Sequence, residues 1–307
     1  MTKVFIDGSA GTTGLRIYER LGSRPDLELM ILPDALRKDP AARADMLNSA
    51  DIAFLCLPDQ AAKEAVSLVT SPNTVVIDTS TAHRTNPDWA YGFAELTGKR
   101  AAVQNSHRIA NPGCHASGFV SLIAPLVENG LLKPDTQLSC FSLTGYSGGG
   151  KNMIADYENP DRNPLLKGPR QYGLTQVHKH LPEMVKICGL NNAPVFCPVV
   201  GDFYSGMEVT VPIFASDLKG GIEDIKALYK NYYSSGLVKF TEEADPDGML
   251  SAAAFSGRDD MSVSVYGNDD RIILVSRFDN LGKGASGAAI QNMNIVLGID
   301  ESTGLNV

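Results

Sequence analysis

The stretch VFIDGSAGTTGLRIYERL, residues 4–21, decides the fold. It runs from a short apolar strand, Val4-Phe5-Ile6, through Gly8, Gly11 and Gly14 into a helix over roughly Leu15 to Leu21. A glycine-rich turn that leads a strand into a helix gathers backbone N–H groups at the helix start, where they can hold a pyrophosphate. The spacing is GxxGxxG rather than GxGxxG, so the motif draws its weight from its position after the first strand. The plain alternative is a glycine turn without a ligand.

Outward from this stretch the same alternation continues. Leu27–Leu32, Ile52–Leu57 and Thr74–Ile77 read as strands that are apolar along their whole length, with helical patches between them, one over Ala61–Val69. Strands of that kind belong to a parallel sheet covered by helices on both faces, a doubly wound Rossmann-type α/β fold. From about residue 134 the character changes. QLSCFSLTG (137–145), VFCPVVGDFYSGMEVTVPIF (195–214) and Arg271–Phe278 alternate apolar and polar positions, as in a mixed or antiparallel sheet with one solvated face. A helix is expected over Gly220–Tyr233 with Ile222, Ile225, Leu228 and Tyr232 inward. The expected division is a dinucleotide-binding domain, 1–114, completed by a C-terminal helix over 285–307, and a second α+β domain, 115–284.

Composition narrows the function. The chain has 307 residues, 43% hydrophobic and 20% charged, with net charge −8. An acidic balance argues against nucleic acid or an anionic membrane as the main partner. No run approaches the ~18 apolar residues of a membrane span, and MTKVFIDGSAG enters a strand directly, so a cytoplasmic protein is expected. Five cysteines, an odd number without CxxC spacing, suggest neither a disulfide framework nor a zinc knuckle. Cys56, Cys140, Cys188 and Cys197 lie in apolar runs and read as buried packing residues.

Cys114 differs. It follows Asn111-Pro112-Gly113 and opens a run in which Ala116, Phe119, Val120, Ile123, Leu126 and Val127 recur at helical spacing. A thiol on the first turn of a helix meets the positive end of the helix dipole, which favours the reactive thiolate. Three further motifs carry chemistry. MILPDALRKDP (30–40) supplies Arg37 and Lys38 to meet a 2′-phosphate, favouring NADP, although Asp34 near the strand end would favour NAD. TGYSGGGKN (144–152) sets Gly148, Gly149 and Gly150 before Lys151 as an anion-binding concavity with a cation beside it, or else forms a flexible surface loop. In QVHKHLPEM (176–184), His178 and His180 precede a helix whose first turn holds Pro182. Zinc held by Cys114, His178 and His180 lacks a fourth ligand, so no metal is expected. His83, His107 and His115 have weaker claims, and His115 is expected to point away from the nucleophile.

With these residues in view, the chain resembles the N-acetyl-gamma-glutamyl-phosphate reductase family, NADPH-dependent enzymes of arginine biosynthesis. The resemblance runs nearly full length through GSAGTTG (8–14), IDTSTAHR (77–84), YGFAEL (91–96), ANPGC (110–114), HKHLPEM (178–184) and KGASGAAIQNMNIVLG (283–298). ANPGC and the last stretch are the most specific, and the short chain looks like the compact subclass. Lys179 stands where many longer members carry Arg, and His115-Ala116-Ser117 replaces their Tyr-Pro-Thr.

The resemblance implies Cys114 as nucleophile and His180 as acid–base group, with His178 the fallback. It implies a cofactor site from Gly8, Ser9, Ala10, Gly11, Thr12, Thr13 and Gly14, with Arg37, Lys38, Pro58, Ser80, Gly284 and Gly287. For the substrate, N-acetyl-gamma-glutamyl phosphate, it points to Arg84, Asn111, Ser147, Gly148, Gly149, Lys151 and His178, with Arg108 a further candidate. A homodimer or homotetramer is expected. The rival readings are an aspartate-semialdehyde dehydrogenase of the same architecture and a nucleotide sensor that kept the fold and lost catalysis.

Overall fold

Every pairing in the first sheet is parallel, as its unbroken apolar strands require. The computed structural model describes all 307 residues and divides them into two compact units. Met1–Gly113 with Ala285–Leu305 form the first, and Cys114–Gly284 with Asn306–Val307 the second.

The first unit runs β1 (Thr2–Asp7), α1 (Thr12–Leu21), β2 (Leu27–Met30), α2 (Pro40–Ser49), β3 (Ile52–Leu55), α3 (Asp59–Leu68), β4 (Val75–Asp78), β5 (Ala90–Tyr91), α4 (Lys99–Gln104) and β6 (Arg108–Ala110). The chain's last helix, Gly287–Leu297, returns to it. Strand order is β2-β1-β3-β4-β6-β5. Two cores lie on opposite faces of the sheet. Val4, Ile6, Ile52 and Phe54 pack with Ile17 and Leu21 of α1 and with Ile290 and Met293 of the last helix. Phe5, Ala53 and Leu55, the alternate residues of the same strands, pack with Leu47 of α2 and Ala65 of α3. The order reverses direction at β1 and β3, and in such sheets ligands bind beyond the carboxyl ends of the strands at that point.

The second unit opens with α5 (Cys114–Glu128) and continues through β7 (Ser139–Gly145), α6 (Gly150–Glu158), β8 (Arg170–Gln171), α7 (Leu181–Cys188), β9 (Val195–Gly201), β10 (Met207–Phe214), α8 (Ile222–Tyr232), β11 (Val238–Phe240), β12 (Met261–Gly267) and β13 (Arg271–Phe278). Its seven strands lie in the order β11-β12-β13-β10-β7-β9-β8, parallel only at β7–β9 and β11–β12. One face is covered by α5. A Cβ on Gly118 would fall 2.3 Å from Val209 Cγ2, so only glycine lets the helix settle this close to the sheet. The other face carries exposed Phe141, Phe214 and Ile273, the alternation read from the sequence.

Helix α5 is buried at every position from His115 to Leu126 and holds Pro125 in its interior. Proline has no N–H to give the carbonyl four residues back. That carbonyl, on Ser121, accepts a 2.6 Å hydrogen bond from the Tyr233 hydroxyl instead. The Tyr229 hydroxyl donates to the neighbouring carbonyl of Leu122. The side of α8 turned inward is therefore Ile225, Tyr229 and the following Tyr233, whereas Ile222, Leu228 and Tyr232, expected inward, are only half-buried. Tyr233→Phe should lower the unfolding free energy by about 1–2 kcal/mol in urea titrations, because it strands a buried carbonyl. Tyr232→Phe, which removes a hydroxyl bonded to exposed Glu128, should stay within about 0.5 kcal/mol of the parent.

Candidate functional site

Within the first unit, the glycine turn forms a close-packed cradle. Gly8 has φ +88°, and a Cβ there would lie 2.3 Å from the carbonyl oxygen of Cys56, in the loop after β3. A Cβ on Gly14 would lie 2.5 Å from the Gly8 carbonyl oxygen. Gly11 caps α1, whose first turn holds Thr12 and Thr13. A pocket opens here, lined by Gly8, Ser9 and Ala10 together with Tyr18, Leu32 and Arg37. Backbone at a helix start without side chains in the way fits a dinucleotide's phosphates. Arg37 lines the pocket and is paired at 2.7 Å with Asp34. Lys38 is exposed and outside the lining, and Pro58 caps α3.

Other expected site residues of this unit are committed to holding loops. Ser80 Oγ donates to Asp78 Oδ2 at 2.8 Å, and His83 Nδ1 lies 2.6 Å from the same carboxylate oxygen. Arg84 donates to the carbonyls of Asn111 and Thr79 at 2.9 and 2.8 Å. Asn111 is wholly buried; its amide donates to the Ala285 carbonyl, and its Oδ1 accepts from Asn292 of the last helix. Arg108 donates to the carbonyls of Thr74 and His107. Gly287 is buried at the start of the last helix.

The second unit carries Cys114 and three histidines. Cys114 is half-buried and is the first residue of α5. A Cβ on Gly284 would lie 2.9 Å from Cys114 Cβ, so the glycine lets the chain before the last helix pass close against the thiol-bearing residue. Burial pushes the thiols of Cys140 and Cys188 up and that of Cys56 to about 12, which leaves them unreactive at neutral pH.

His115 corrects the sequence reading. Instead of pointing away, its ring is buried among His178 and His180, with ring centroids at 5.7 and 5.4 Å. His178 and His180 are 4.9 Å apart, and the His180 N–H donates to His178 Nδ1 at 3.3 Å. His115 also makes two short contacts, Nδ1 to Ser142 Oγ and Nε2 to Tyr172 Oη, both 2.6 Å. No sequence motif singles out Tyr172. Burial pushes its hydroxyl pKa up, and the nearby Cys114 sulfur adds to the effect. Burial holds His115 neutral, down to about 3, and lowers His178 in the same direction, with Lys179 contributing to both.

The HxH segment is placed by Gln176. This residue sits at φ +58°, and its side-chain amide pairs with both backbone groups of Phe196 on β9, at 2.7 and 2.8 Å. The glycine motif 148–150 is no loose loop: Gly149 caps the nine-residue α6, Lys151 is exposed in its first turn, and Ser147 Oγ accepts from Asn280 at 3.0 Å. No group of three or more His, Cys, Asp or Glu side chains is arranged to hold a metal ion. No helix is long and apolar enough to cross a membrane.

The family profile described as semialdehyde dehydrogenase, dimerisation domain, matches residues 114–280, and that of the semialdehyde dehydrogenase NAD binding domain matches residues 33–105. Proteins named N-acetyl-gamma-glutamyl-phosphate reductase match across nearly the whole chain. Those of Sinorhizobium medicae and Rhizobium etli are 46% and 47% identical over 305 residues, covering 96% of this chain and 98% of each relative. The chain belongs to the N-acetyl-gamma-glutamyl-phosphate reductase family. The relative from Brucella suis, 47% identical over 306 residues, carries the same name. Solved structures at much lower identity share the fold. Aspartate semialdehyde dehydrogenase II of Vibrio cholerae superposes with a TM-score of 0.72 at 17% identity, covering 97% of this chain and 98% of that one. The enzyme of Francisella tularensis gives 0.72 at 18%, covering 97% and 100%.

Two outcomes follow from the burial described. Iodoacetamide at neutral pH should label Cys114 in the folded protein, while the buried Cys140 and Cys188 become labelled only on unfolding, as peptide mapping will read. The folded pKa of His115 lies below its ordinary 6.5, so below that pH the unfolded chain binds a proton that the folded chain refuses. Stability should therefore fall as pH drops from about 6.5 toward about 3, seen as a declining urea midpoint.

Proposed function

We propose that this chain reduces N-acetyl-gamma-glutamyl phosphate to N-acetylglutamate semialdehyde, releasing phosphate, through a thioester on Cys114. One observation carries the reading. In a chain 46–47% identical to reductases of that name, Cys114 alone opens a buried helix beside a cluster of three histidines.

The Cys114 thiolate, favoured by the positive end of α5, attacks the acyl carbonyl carbon. A carbon–sulfur bond forms, the bond to the phosphate oxygen breaks, and phosphate leaves with the electron pair. A reduced nicotinamide, when bound, supplies the hydride for the acyl carbon. His180 takes the thiol proton and later holds a proton at the acyl oxygen, with His178 the fallback for this role. When the oxygen gives that proton back, the carbon–sulfur bond breaks, the aldehyde is released and the thiolate is restored. Gly149 and Lys151 at the start of α6 are assigned to an anionic group of the substrate. Arg84 and Asn111 serve by bracing the ANPGC turn.

The first unit is read as the cofactor domain, with the cradle of residues 8–14 on the phosphates and Arg37 on the 2′-phosphate of NADP. The second is read as the catalytic unit. Its exposed sheet face, with Phe141, Phe214 and Ile273, suits pairing with another copy of the chain, and the reaction is assigned to the cytoplasm.

The test is the reverse reaction. With N-acetylglutamate semialdehyde, NADP and phosphate, reduced cofactor should accumulate only when phosphate is present. Aspartate semialdehyde run in parallel should give little; preference for it would overturn the substrate assignment. Cys114→Ser should abolish turnover and leave NADPH affinity nearly unchanged, and turnover near the parent rate would end the thioester mechanism. His180→Asn should slow the reaction more than His178→Asn. Arg37→Ser should weaken NADP binding about tenfold while sparing NAD, the loss of about one charge-assisted hydrogen bond.

A further inference from the structure

His115 directly follows the nucleophile, yet it is buried and neutral, and it does not titrate near neutral pH. Its two ring nitrogens are both engaged, at 2.6 Å to Ser142 Oγ and 2.6 Å to Tyr172 Oη. A neutral imidazole has one N–H and one lone pair, so the two contacts must run in opposite senses. The donor count selects the sense. Ser142 is 1% exposed, and its hydroxyl has no hydrogen-bond partner other than His115. If Nδ1–H donated to it, the serine proton would be buried without an acceptor, which proteins rarely tolerate. With Ser142 donating to Nδ1, every buried proton is placed, and Nε2–H donates to the tyrosine oxygen. The remaining proton is that of Tyr172, on a half-buried residue within electrostatic reach of Cys114.

We propose that His115 is a positioning residue: a one-way chain, Ser142 to His115 to Tyr172, turns the Tyr172 hydroxyl proton toward the substrate as a hydrogen-bond donor beside Cys114. The assignment rests on the Cys114 chemistry proposed above for its substrate, though not for the direction of the chain. The packing of His115 against Phe196, at 5.3 Å between centroids, and against His178 and His180 fixes the ring plane that both contacts need. A tyrosine or phenylalanine at position 115 would fill the space without relaying this orientation.

The first test needs no turnover. In protein labelled with 15N-histidine, two-bond nitrogen–proton correlations assigned by loss of signal in His115→Phe should show His115 as the Nε2–H tautomer, unchanged between about pH 5 and 8. An Nδ1–H tautomer, or titration in that range, would overturn the chain. Ser142→Ala, which removes the selecting donor, should give a mixture of both tautomers; it also reads the direction if His115→Phe fails to fold. The second test is a double-mutant cycle on kcat/KM. Tyr172→Phe and His115→Phe should each lower it about tenfold, and the double variant should be no worse than Tyr172→Phe alone within about twofold. Multiplying losses would reduce His115 to a packing residue. Should wild-type protein show no phosphate-dependent turnover, the substrate reading falls, while the tautomer spectrum still decides the chain.

Discussion

The burial of helix α5 is the constraint from which the rest of the second unit follows. Its residues from His115 to Leu126 have no solvent face, so its backbone groups must find partners inside the protein, and of its buried side chains Ser117 Oγ finds none. Gly118 lets it lie against Val209 and Ser276, Tyr229 and Tyr233 serve the carbonyls around Pro125, and His115 finds Ser142 and Tyr172. At its N-terminal end Cys114 keeps partial exposure. A helix packed on this many sides presents its thiol and its dipole in one direction, which serves the thioester step proposed for Cys114.

The first unit is organised by a different constraint, the close approach of backbone at the end of β1. Gly8 and Gly14 touch main-chain oxygens where any side chain would collide. The reversal of strand order between β1 and β3 leaves the cradle open beyond their carboxyl ends. Nearby charges are balanced locally, with Asp7 on Arg43 and Asp34 on Arg37.

Much of this was legible in the sequence. Unbroken apolar strands announced the parallel sheet, alternating ones announced the mixed sheet, and Pro112-Gly113 marked the helix start that sets Cys114 apart. The direction of His115 was not legible, because a periodicity argument assigns a polar residue to a polar face and α5 has none. Tyr172 gave no signal either. It is seated by its own backbone N–H, which donates to the Pro198 carbonyl of strand β9, distant in sequence. The inward side of α8 was misread for a related reason. Tyr229 and Tyr233 turn inward to meet carbonyls on α5, a demand that apolar spacing does not encode.

The central claim is the covalent step, and intact-protein mass spectrometry tests it most directly. Protein mixed with freshly prepared N-acetyl-gamma-glutamyl phosphate, without nicotinamide cofactor, should gain the mass of one N-acetylglutamyl group, mapped to the peptide containing Cys114 and released by hydroxylamine. Absence of any adduct from protein that turns over, or an adduct on another residue, would contradict the account.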